Sequence, residues 1–462
     1  MLLKVSAANF KSFNEAVTLD LVSSTKVRSL ASHVVSLGEM KILRNAAIYG
    51  ANASGKTNLY RILRFLQDSL RNGRIPLGTG DWFCKLSESN KEKETIFDIQ
   101  YETKGRFFDY GFSALLADRR IVSEWLYELS PSGKRWNAQV VFERYEDSSP
   151  VIGDIENLSN DEKSRFEVYA GDFPLKSDKL FFSELNRGKT YLPDSALGVL
   201  PVAFDYLVSG LRVIGAGESR ARFDSFLKDD YLEKASRLLS GFDTGIKQIK
   251  KKSLSLAEFR DLVPEPIFRD MEEAVTKGIS LGAKGSINGT LRLPGALIVI
   301  ENFQSQEPDI TKICLLHCDS PFDYEFEEES DGTRRLFDFM ELLLTSGDGV
   351  VFVVDEIDRS LHPMLTRHLL ELFNEIHKED SVQLIFTTHE DALMDKEYLR
   401  KDEIWFVDRK EELGSSLYSL DRFAEVRSDT SIDKNYWNGR YGGVPVLSSS
   451  PFAERGRDAS AE

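Results

Sequence analysis

The sequence has little cysteine, no apolar run of membrane-spanning length and no surplus of basic charge. Its three cysteines, Cys84, Cys314 and Cys318, are too few and too scattered for a disulfide framework, which fits a reducing compartment. Every apolar run falls short of the ~20 residues that cross a bilayer, and the first residues lack the long apolar centre of a signal peptide. These absences predict a cytoplasmic protein with no membrane partner.

The charge balance is acidic, with 59 basic against 75 acidic residues and a net charge of −16. A protein whose whole surface follows a phosphate backbone is usually basic, so nucleic-acid binding finds no support in the overall charge. The one obvious basic cluster is "IKQIKKKS", which holds Lys247 and Lys250 to Lys252. We interpret it as a solvated edge or helix face, with an anion or DNA contact as the alternative.

No heptad pattern is sustained over several turns and no internal repeat stands out, which argues against a long coiled-coil arm. Short alternating stretches fill residues 95–146 and predict an antiparallel sheet with one wet face. From residue 334 onward, amphipathic helices alternate with apolar strands. That alternation predicts a parallel sheet covered on both faces.

The stretch "GANASGKT" (50–57) matches the phosphate-loop pattern of Gly, four residues and Gly-Lys-Thr, between a strand and a helix. The two glycines permit the turn and let backbone N–H groups approach phosphates, and the helix N-terminus adds its positive end. Lys56 is expected to reach the β- and γ-phosphates of ATP, and the Thr57 hydroxyl to bind Mg²⁺. The predicted nucleotide contacts are Gly50, Asn52, Ser54, Gly55, Lys56, Thr57 and Asn58.

Two further strands end in residues with catalytic potential. "VVFVVDE" ends in Asp355 and Glu356, and we expect Asp355 to hold Mg²⁺ and Glu356 to accept a proton from the attacking water. "VQLIFTTHE" carries His389, which is expected to donate to the γ-phosphate and position the water. The alternative is that these are ordinary solvated residues at strand ends, and their order after a phosphate loop favours the catalytic interpretation.

"EEESDGTRRLFDF" (327–339) places three acids before Ser330-Asp331-Gly332-Thr333 and an apolar helix. Taken alone, the stretch is an acidic loop that ends in a helix cap, since Ser and Asp commonly precede a hydrophobic helix.

The motifs as a series resemble the ABC-type ATPases of the RecF and SMC branch. "DEIDRSLH" resembles the acid pair and D-loop of that branch, "TTH" its switch histidine, and "SDGT" stands where the ABC signature lies. With "NFKSF" near the start and the closing "GRYGGVPVL", the series is similar to abortive-infection or anti-phage defence ATPases, relatives of the OLD ATPases. The acidic cluster of a TOPRIM nuclease is absent from the sequence. The resemblance implies an α/β P-loop head of ABC type with a mixed sheet, an antiparallel β lobe and an inserted α-rich region.

The resemblance also implies how the protein works. Ser330, Gly332 and the Thr333 amide would contact ATP held by the opposite subunit of a homodimer or higher even oligomer. The chain would then act as a defence switch that controls an effector such as a nuclease or toxin, with a phage protein or DNA as trigger. The rivals are a RecF-like DNA-maintenance clamp and, more distantly, the motor subunit of a transporter.

The sequence departs from the SMC pattern at the end of the D-loop, where His362 replaces the usual Asp and suggests a structural or interface role. Neither Gln100 nor Gln139 has a motif that would make it a Q-loop glutamine. "CLLHC" (314–318) is interpreted as two buried thiols in a strand rather than a metal site, because His317 would point to the opposite face.

The resemblance is concentrated at both ends of the chain, which suggests a head split by an insert. The predicted divisions are 1–146 (first part of the head), 147–314 (inserted mixed or helical region), 315–447 (second part of the head) and 448–462 (disordered tail).

Overall fold

The computed structural model describes residues 1–462 except 133–134, 193, 219–225, 227, 281–288, 294–295, 304, 306–307, 319, 348, 411, 424–430 and 446–462. The predicted tail at 448–462 therefore lies outside the described residues. The chain forms two compact units: Met1–Val213, Gly349–Val353 and Gln383–Glu462 make the first, and Ile214–Asp348 and Val354–Val382 the second. The boundaries predicted at 146/147 and 314/315 remain predictions.

The first unit contains a seven-stranded antiparallel sheet in the order β10-β9-β8-β7-β6-β1-β2. Its strands are β1 (Leu2–Ala8), β2 (Val17–Asp20), β6 (Thr95–Thr103), β7 (Arg106–Leu115), β8 (Arg120–Ser132), β9 (Arg135–Tyr145) and β10 (Val151–Ile152). The antiparallel sheet predicted within 95–146 is confirmed, and the N-terminal hairpin extends it through the pairing of β1 with β6. Phe65, Phe97 and Phe112 pack between this sheet and the first helix.

A six-stranded sheet in the order β11-β17-β18-β5-β19-β20 carries the phosphate loop. Its strands are β5 (Asn45–Tyr49), β11 (Leu211–Ile214), β17 (Val351–Val354), β18 (Gln383–Thr387), β19 (Ile404–Lys410) and β20 (Gly414–Ser419). Both β18 and β19 run parallel to β5, whereas β20 is antiparallel to β19. The sheet is thus mixed, as the resemblance implies, and the antiparallel β20 departs from the purely parallel sheet that the helix–strand alternation predicts.

The described residues of the first unit also form a small hairpin and five α-helices. The hairpin consists of β3 (Val34–Leu37) and β4 (Met40–Leu43), and the helices are α1 (Lys56–Asn72), α2 (Asn160–Gly171), α3 (Phe181–Asn186), α4 (Val199–Asp205) and α10 (Ile432–Trp437). The apolar face of α1 is buried, since Leu59, Ile62, Leu63, Leu66 and Leu70 all lie in the core.

The second unit is built on a five-stranded antiparallel sheet in the order β12-β15-β14-β13, with β16 paired to β15. The strands are β12 (Ile246–Leu254), β13 (Gly289–Leu293), β14 (Ala296–Glu301), β15 (Asp309–His317) and β16 (Asp323–Glu325). The helices are α5 (Asp229–Gly241), α6 (Leu256–Leu262), α7 (Glu265–Ser280), α8 (Asp331–Leu344) and α9 (Pro363–Ile376). The inserted region holds helices, as predicted, and also most of this sheet, which the sequence pattern did not reveal.

The basic cluster lies on β12 at the edge of this sheet. Lys250 pairs with Asp323 at 2.7 Å and Lys251 with Asp229 at 2.6 Å. These ion pairs offset half of the cluster's charge within the unit and favour the solvated-edge interpretation.

The "CLLHC" prediction holds for one cysteine only. Cys314 is buried in β15, but the strand ends at His317 and Cys318 is exposed beyond it. Within the described ranges, no group of three His, Cys, Asp or Glu side chains is placed to hold a metal ion. Nor does that part of the chain contain a helix long and apolar enough to cross a membrane.

A half-buried carboxyl pair on the seven-stranded sheet makes stability depend on pH. Asp109 accepts hydrogen bonds from Gln100 at 2.9 Å and from Trp125 at 3.2 Å. Burial, the charge of Asp109 and a hydrogen bond between the two carboxyls raise the pKa of Asp98 to about 8, and Lys4 opposes this shift. Asp98 therefore keeps its proton in the folded protein at neutral pH.

The replacement Asp98→Asn is expected to make the free energy of unfolding depend less steeply on pH. Unfolded Asp98 has its ordinary pKa near 3.8, so between about pH 4 and 8 the folded state binds a proton that the unfolded state does not. The free energy of unfolding consequently falls as the pH rises through that window. Above pH 8 we expect Asp98→Asn to be more stable than the wild type by ~1–2 kcal/mol, a value reduced for partial solvent exposure.

Urea denaturation from pH 4 to 9 measures this effect, with the exposed Asp270→Asn as the matched control. Equal pH slopes for wild type and Asp98→Asn would show that the carboxyl pair holds no extra proton.

Candidate active site

The phosphate loop follows β5, whose five residues are all buried. A side chain at Gly50 would collide with the Val407 carbonyl and come within 2.6 Å of Ser54 Oγ. A side chain at Gly55 would lie 2.5 Å from Ser12 Oγ, and the backbone there has φ of 116°. Both positions therefore require glycine, which keeps the loop tight against the sheet.

Helix α1 begins at Lys56, directly after the loop. The Lys56 side chain is 7% exposed and donates from Nζ to the carbonyl oxygens of Gly50 at 2.7 Å and Ala51 at 3.1 Å. The ammonium thus lies over the loop, where the first N–H groups of α1 have no partner within the helix. The loop also bends through a left-handed residue, Ala53, with φ of 61°.

These residues fit a bound phosphate chain. Ser54 Oγ is buried and has no hydrogen-bond partner among the residues that the structure describes. Thr57 is half-buried at the helix start, while Asn52 is exposed on the loop. A buried hydroxyl, an ammonium and a helix N-terminus on one small loop are the donors that a polyphosphate needs.

The "NFKSF" segment packs beside the start of α1. Ser12 Oγ accepts from Asn58 Nδ2 at 2.8 Å, and the Ser12 carbonyl accepts from Ser415 N at 2.7 Å. Phe10 and Phe13 are fully buried. The segment therefore anchors the loop's second half to the core.

A cavity of about 310 Å³ adjoins this segment. Its charged lining consists of Lys11, Arg61, Lys85, Arg409 and Asp81. Asp81 pairs with Lys85 at 2.7 Å. Lys11 lies 4.1 Å from the Trp82 ring centroid, and burial lowers the pKa of its ammonium. Sequence reasoning missed this basic cavity, because its members come from four distant segments.

The closing motif "GRYGGVPVL" has a structural role at the loop. A side chain at Gly443 would lie 3.5 Å from Gly50 Cα, and Gly443 N donates to Asp408 Oδ1 at 3.3 Å. Gly442 has φ of 71° and leaves no room for a side chain beside the Tyr418 hydroxyl. The glycine pair therefore lets this segment lie against the first residue of the phosphate loop.

His389 leaves the six-stranded sheet at the same edge as the phosphate loop. Thr387 of β18 pairs with Ile48 of β5 in parallel register, and Thr388 N donates to the Ile48 carbonyl at 3.1 Å. His389 follows directly and is exposed. The first unit thus brings its predicted histidine and phosphate loop to a common edge.

The acid pair follows β17 and belongs to the second unit. Asp355 is 3% exposed, and its backbone N–H donates to the Ile214 carbonyl at 2.9 Å. Glu356 is partly exposed and lies 4.0 Å from Arg359. Glu356 and Ser360 have left-handed backbones, with φ of 51° and 63°. Such conformations cost ~1–3 kcal/mol in residues other than glycine and concentrate at functional sites.

The predicted signature residues also lie in the second unit. Ser330 is the N-cap of α8: its Oγ accepts from Thr333 N at 3.1 Å and lies 2.9 Å from Thr333 Oγ1. A side chain at Gly332 would come within 2.8 Å of the Ser360 carbonyl. The helix-cap interpretation is therefore correct, and the cap lies directly against the loop that follows the acid pair.

Arg335 is a residue of this region that the sequence analysis left without a role. It is 6% exposed, and none of its guanidinium nitrogens has a hydrogen bond among the described residues. Asp338 Oδ2 lies 3.8 Å away, and the Phe339 ring packs against the guanidinium. Burial lowers the pKa of Arg335, while Asp338, Glu356 and Asp355 oppose the shift. A buried cation on α8 thus interacts electrostatically with both acids.

His362 caps α9, which supports the structural role predicted for it. Its Nδ1 accepts from Met364 N at 3.2 Å, and Pro363 occupies the first helical position. Gln100 lies in the seven-stranded sheet and bonds Asp109, and Gln139 bonds the Asp154 carbonyl. Neither bond identifies a Q-loop glutamine.

Comparison with known proteins gives a match to one protein family. Residues 46–395, more than half of the chain, match the family described as "AAA domain, putative AbiEii toxin, Type IV TA system". No curated protein matches. One similar solved structure is an SMC head bound to the C-winged helix domain of ScpA, with 16% identity, 90% of this chain and 97% of that chain covered, and a TM-score of 0.40.

Two other SMC heads are similar at the same level. The SMC head domain from Thermotoga maritima has 14% identity, covers 90% of this chain and 98% of that one, and gives a TM-score of 0.32. The Smc head domain with an extended coiled coil, bound to the C-terminal domain of ScpA derived from Pyrococcus furiosus, has 15% identity, 91% and 97% coverage, and a TM-score of 0.34. The family match together with the phosphate loop shows that the chain belongs to this family of AAA ATPase domains.

Proposed function

We propose that this protein hydrolyses ATP with Mg²⁺ in a head-to-head dimer, and that its ATP state controls an effector in anti-phage defence. The observation that carries the proposal is the phosphate loop, where Lys56 lies over two loop carbonyls at the start of α1. The family match supports ATP as the substrate.

The predicted site residues have separate roles in binding and hydrolysing ATP. Lys56 and the loop N–H groups bind the β- and γ-phosphates, and the basic cavity around Lys11 and Arg409 can take the more distant part of the nucleotide. Thr57 and Asp355 would hold Mg²⁺, which when bound neutralises charge on the phosphate oxygens. Glu356 orients the water and accepts its proton as oxygen bonds to the γ-phosphorus and the bond to ADP breaks. His389 donates to the γ-phosphate.

The predicted signature residues support the proposed dimer. The hydroxyl groups of Ser330 and Thr333 form one hydrogen bond with each other. That bond uses the hydrogen of one hydroxyl, and the hydrogen of the other hydroxyl takes no part in it. Helix α8 has 14 residues, and its N-terminus is a favourable place for an anion. We assign this end of α8 to the γ-phosphate of ATP bound by Lys56 of a second copy. ATP would then close the dimer and hydrolysis would release it.

The defence role is supported by the family description, which names a putative toxin and a toxin–antitoxin system. The effector would be a nuclease or toxin, and the trigger a phage protein or DNA. Against a RecF-like DNA clamp stand the net charge of −16 and the ion pairs on β12.

A phage challenge tests the defence role. Cells that express the wild-type chain with its genomic neighbours are expected to restrict phage plating, and Lys56→Ala should abolish the restriction, because the ammonium that binds phosphate is lost. A pull-down before and after infection then identifies the effector and trigger. Unchanged plating with the wild type, or DNA-stimulated turnover that weakens steeply with salt, would favour the DNA clamp instead.

A further inference from the structure

The three acids that precede the signature each have a different partner in the second unit. Glu327 accepts from Arg292 Nε at 3.2 Å and also from Arg334. Glu328 Oε2 accepts from the backbone N–H of Glu325 at 2.7 Å. Glu329 Oε1 lies 2.6 Å from His317 Nε2. The acidic run is therefore held at three points rather than left as a solvated loop.

Arg292 connects β13 to both sides of the signature. Besides Glu327, its guanidinium lies 3.8 Å from Asp338, two turns into α8, and 4.7 Å from the Phe326 ring centroid. Phe326 and Asp338 are buried, and the Arg292 side chain is 29% exposed. One side chain of the five-stranded sheet thus fixes both the approach to Ser330 and the helix after it.

His317 supplies a second link. It ends β15, packs against Tyr324 with ring centroids 4.7 Å apart, and pairs with Glu329, the residue directly before Ser330. Glu329 is 9% exposed. Both links therefore run from the same sheet to the segment that caps α8.

We propose that Arg292 is a positioning residue, through which the five-stranded sheet sets the placement of Ser330, Gly332 and Thr333 and hence the rate of hydrolysis. The inference rests on the proposed function, because the signature must meet ATP held by another copy. Since Arg292 belongs to the second unit and Lys56 to the first, we expect loss of Arg292 to affect turnover and to leave nucleotide binding by Lys56 intact. A partner that binds this sheet can consequently regulate turnover without contacting nucleotide.

Two variants test the positioning role. Arg292→Met keeps an unbranched apolar stem and removes both ion pairs. We expect kcat to fall at least about tenfold, since small misplacements of a contacting group cost that much. The dissociation constant of a fluorescent ATP analogue should stay within about twofold. Arg292→Lys keeps the charge and should retain most of kcat. Arg237→Met, which breaks an exposed ion pair on α5 with Glu233, is the matched control and should change neither quantity.

A second variant, Glu327→Gln, weakens the Arg292–Glu327 ion pair by removing the charge of the carboxylate. It tests the same role if Arg292→Met does not fold. The double variant should lose less than the sum of the two single variants, because both changes act on the Arg292–Glu327 pair. A kcat within about twofold of wild type in Arg292→Met and Glu327→Gln, while Glu356→Gln is inactive, would overturn the positioning role and leave the proposed function standing. A wild-type chain that neither hydrolyses ATP nor dimerises with it would overturn the proposed function itself.

Discussion

Glu356→Gln is expected to lower ATP turnover by ~10²–10⁴-fold and to leave the protein trapped as an ATP-bound dimer, because loss of a general base costs that much. The amide cannot take the proton of the attacking water, but it keeps the size of the carboxylate. The left-handed backbone at this position, with φ of 51°, is equally accessible to Gln and Glu, so the fold should be unchanged. Nucleotide binding should persist, since the phosphate donors lie on the loop around Lys56.

Phosphate release and size-exclusion chromatography with light scattering, with and without ATP and Mg²⁺, measure the two effects. Glu371→Gln, an exposed acid on α9, is the matched control and should behave as the wild type. A Glu356→Gln protein that hydrolyses ATP normally and stays monomeric would show that another residue activates the water.

Two inactive variants are expected to restore activity when mixed. Lys56→Ala removes the phosphate-binding ammonium, and Ser330→Arg blocks the end of α8, so each protein alone should retain about 1% of turnover or less. In a mixed dimer, the intact Lys56 of one copy meets the intact Ser330 of the other. Random pairing of equal amounts makes about half of the dimers mixed, and each mixed dimer has one intact site out of two. About a quarter of wild-type turnover should therefore return.

The control mixture separates contacts across the dimer from those within one copy. Lys56→Ala mixed with Glu356→Gln should stay inactive, because both residues serve the nucleotide of the same copy and every site in the mixed dimer lacks one of them. Loss of the Ser330 cap costs ~0.5–2 kcal/mol, so thermal melts must confirm that Ser330→Arg remains folded. No recovery in the first mixture, or recovery in the second, would contradict a signature that acts in trans.

The phosphate loop, α1 and the strands β5, β17 and β18 could be predicted from the sequence, because each depends on local spacing. Gly50, Gly55 and Lys56 lie within eight residues, and the apolar face of α1 repeats with the helical period. The helix cap at Ser330 was similarly visible, since capping is decided by neighbours three residues away.

Other features depend on contacts between distant segments and leave no local pattern. The basic cavity is lined by Lys11, Arg61 and Arg409, which lie in three separate segments of the chain. Arg335 looks like a surface arginine in the sequence, and only tertiary packing buries it beside Asp338. Cys318 was expected inside the same strand as Cys314, but β15 ends one residue earlier.

The contact between Gly443 and Gly50 has a consequence for biosynthesis. The phosphate loop emerges early from the ribosome. The segment around Gly443, which lies against the loop, is almost the last described part of the chain to be made. At translation rates of ~5–20 residues per second, the intervening stretch of roughly 400 residues takes about 20–80 seconds. The phosphate loop therefore lacks this backing segment during most of the time in which the described residues are synthesised.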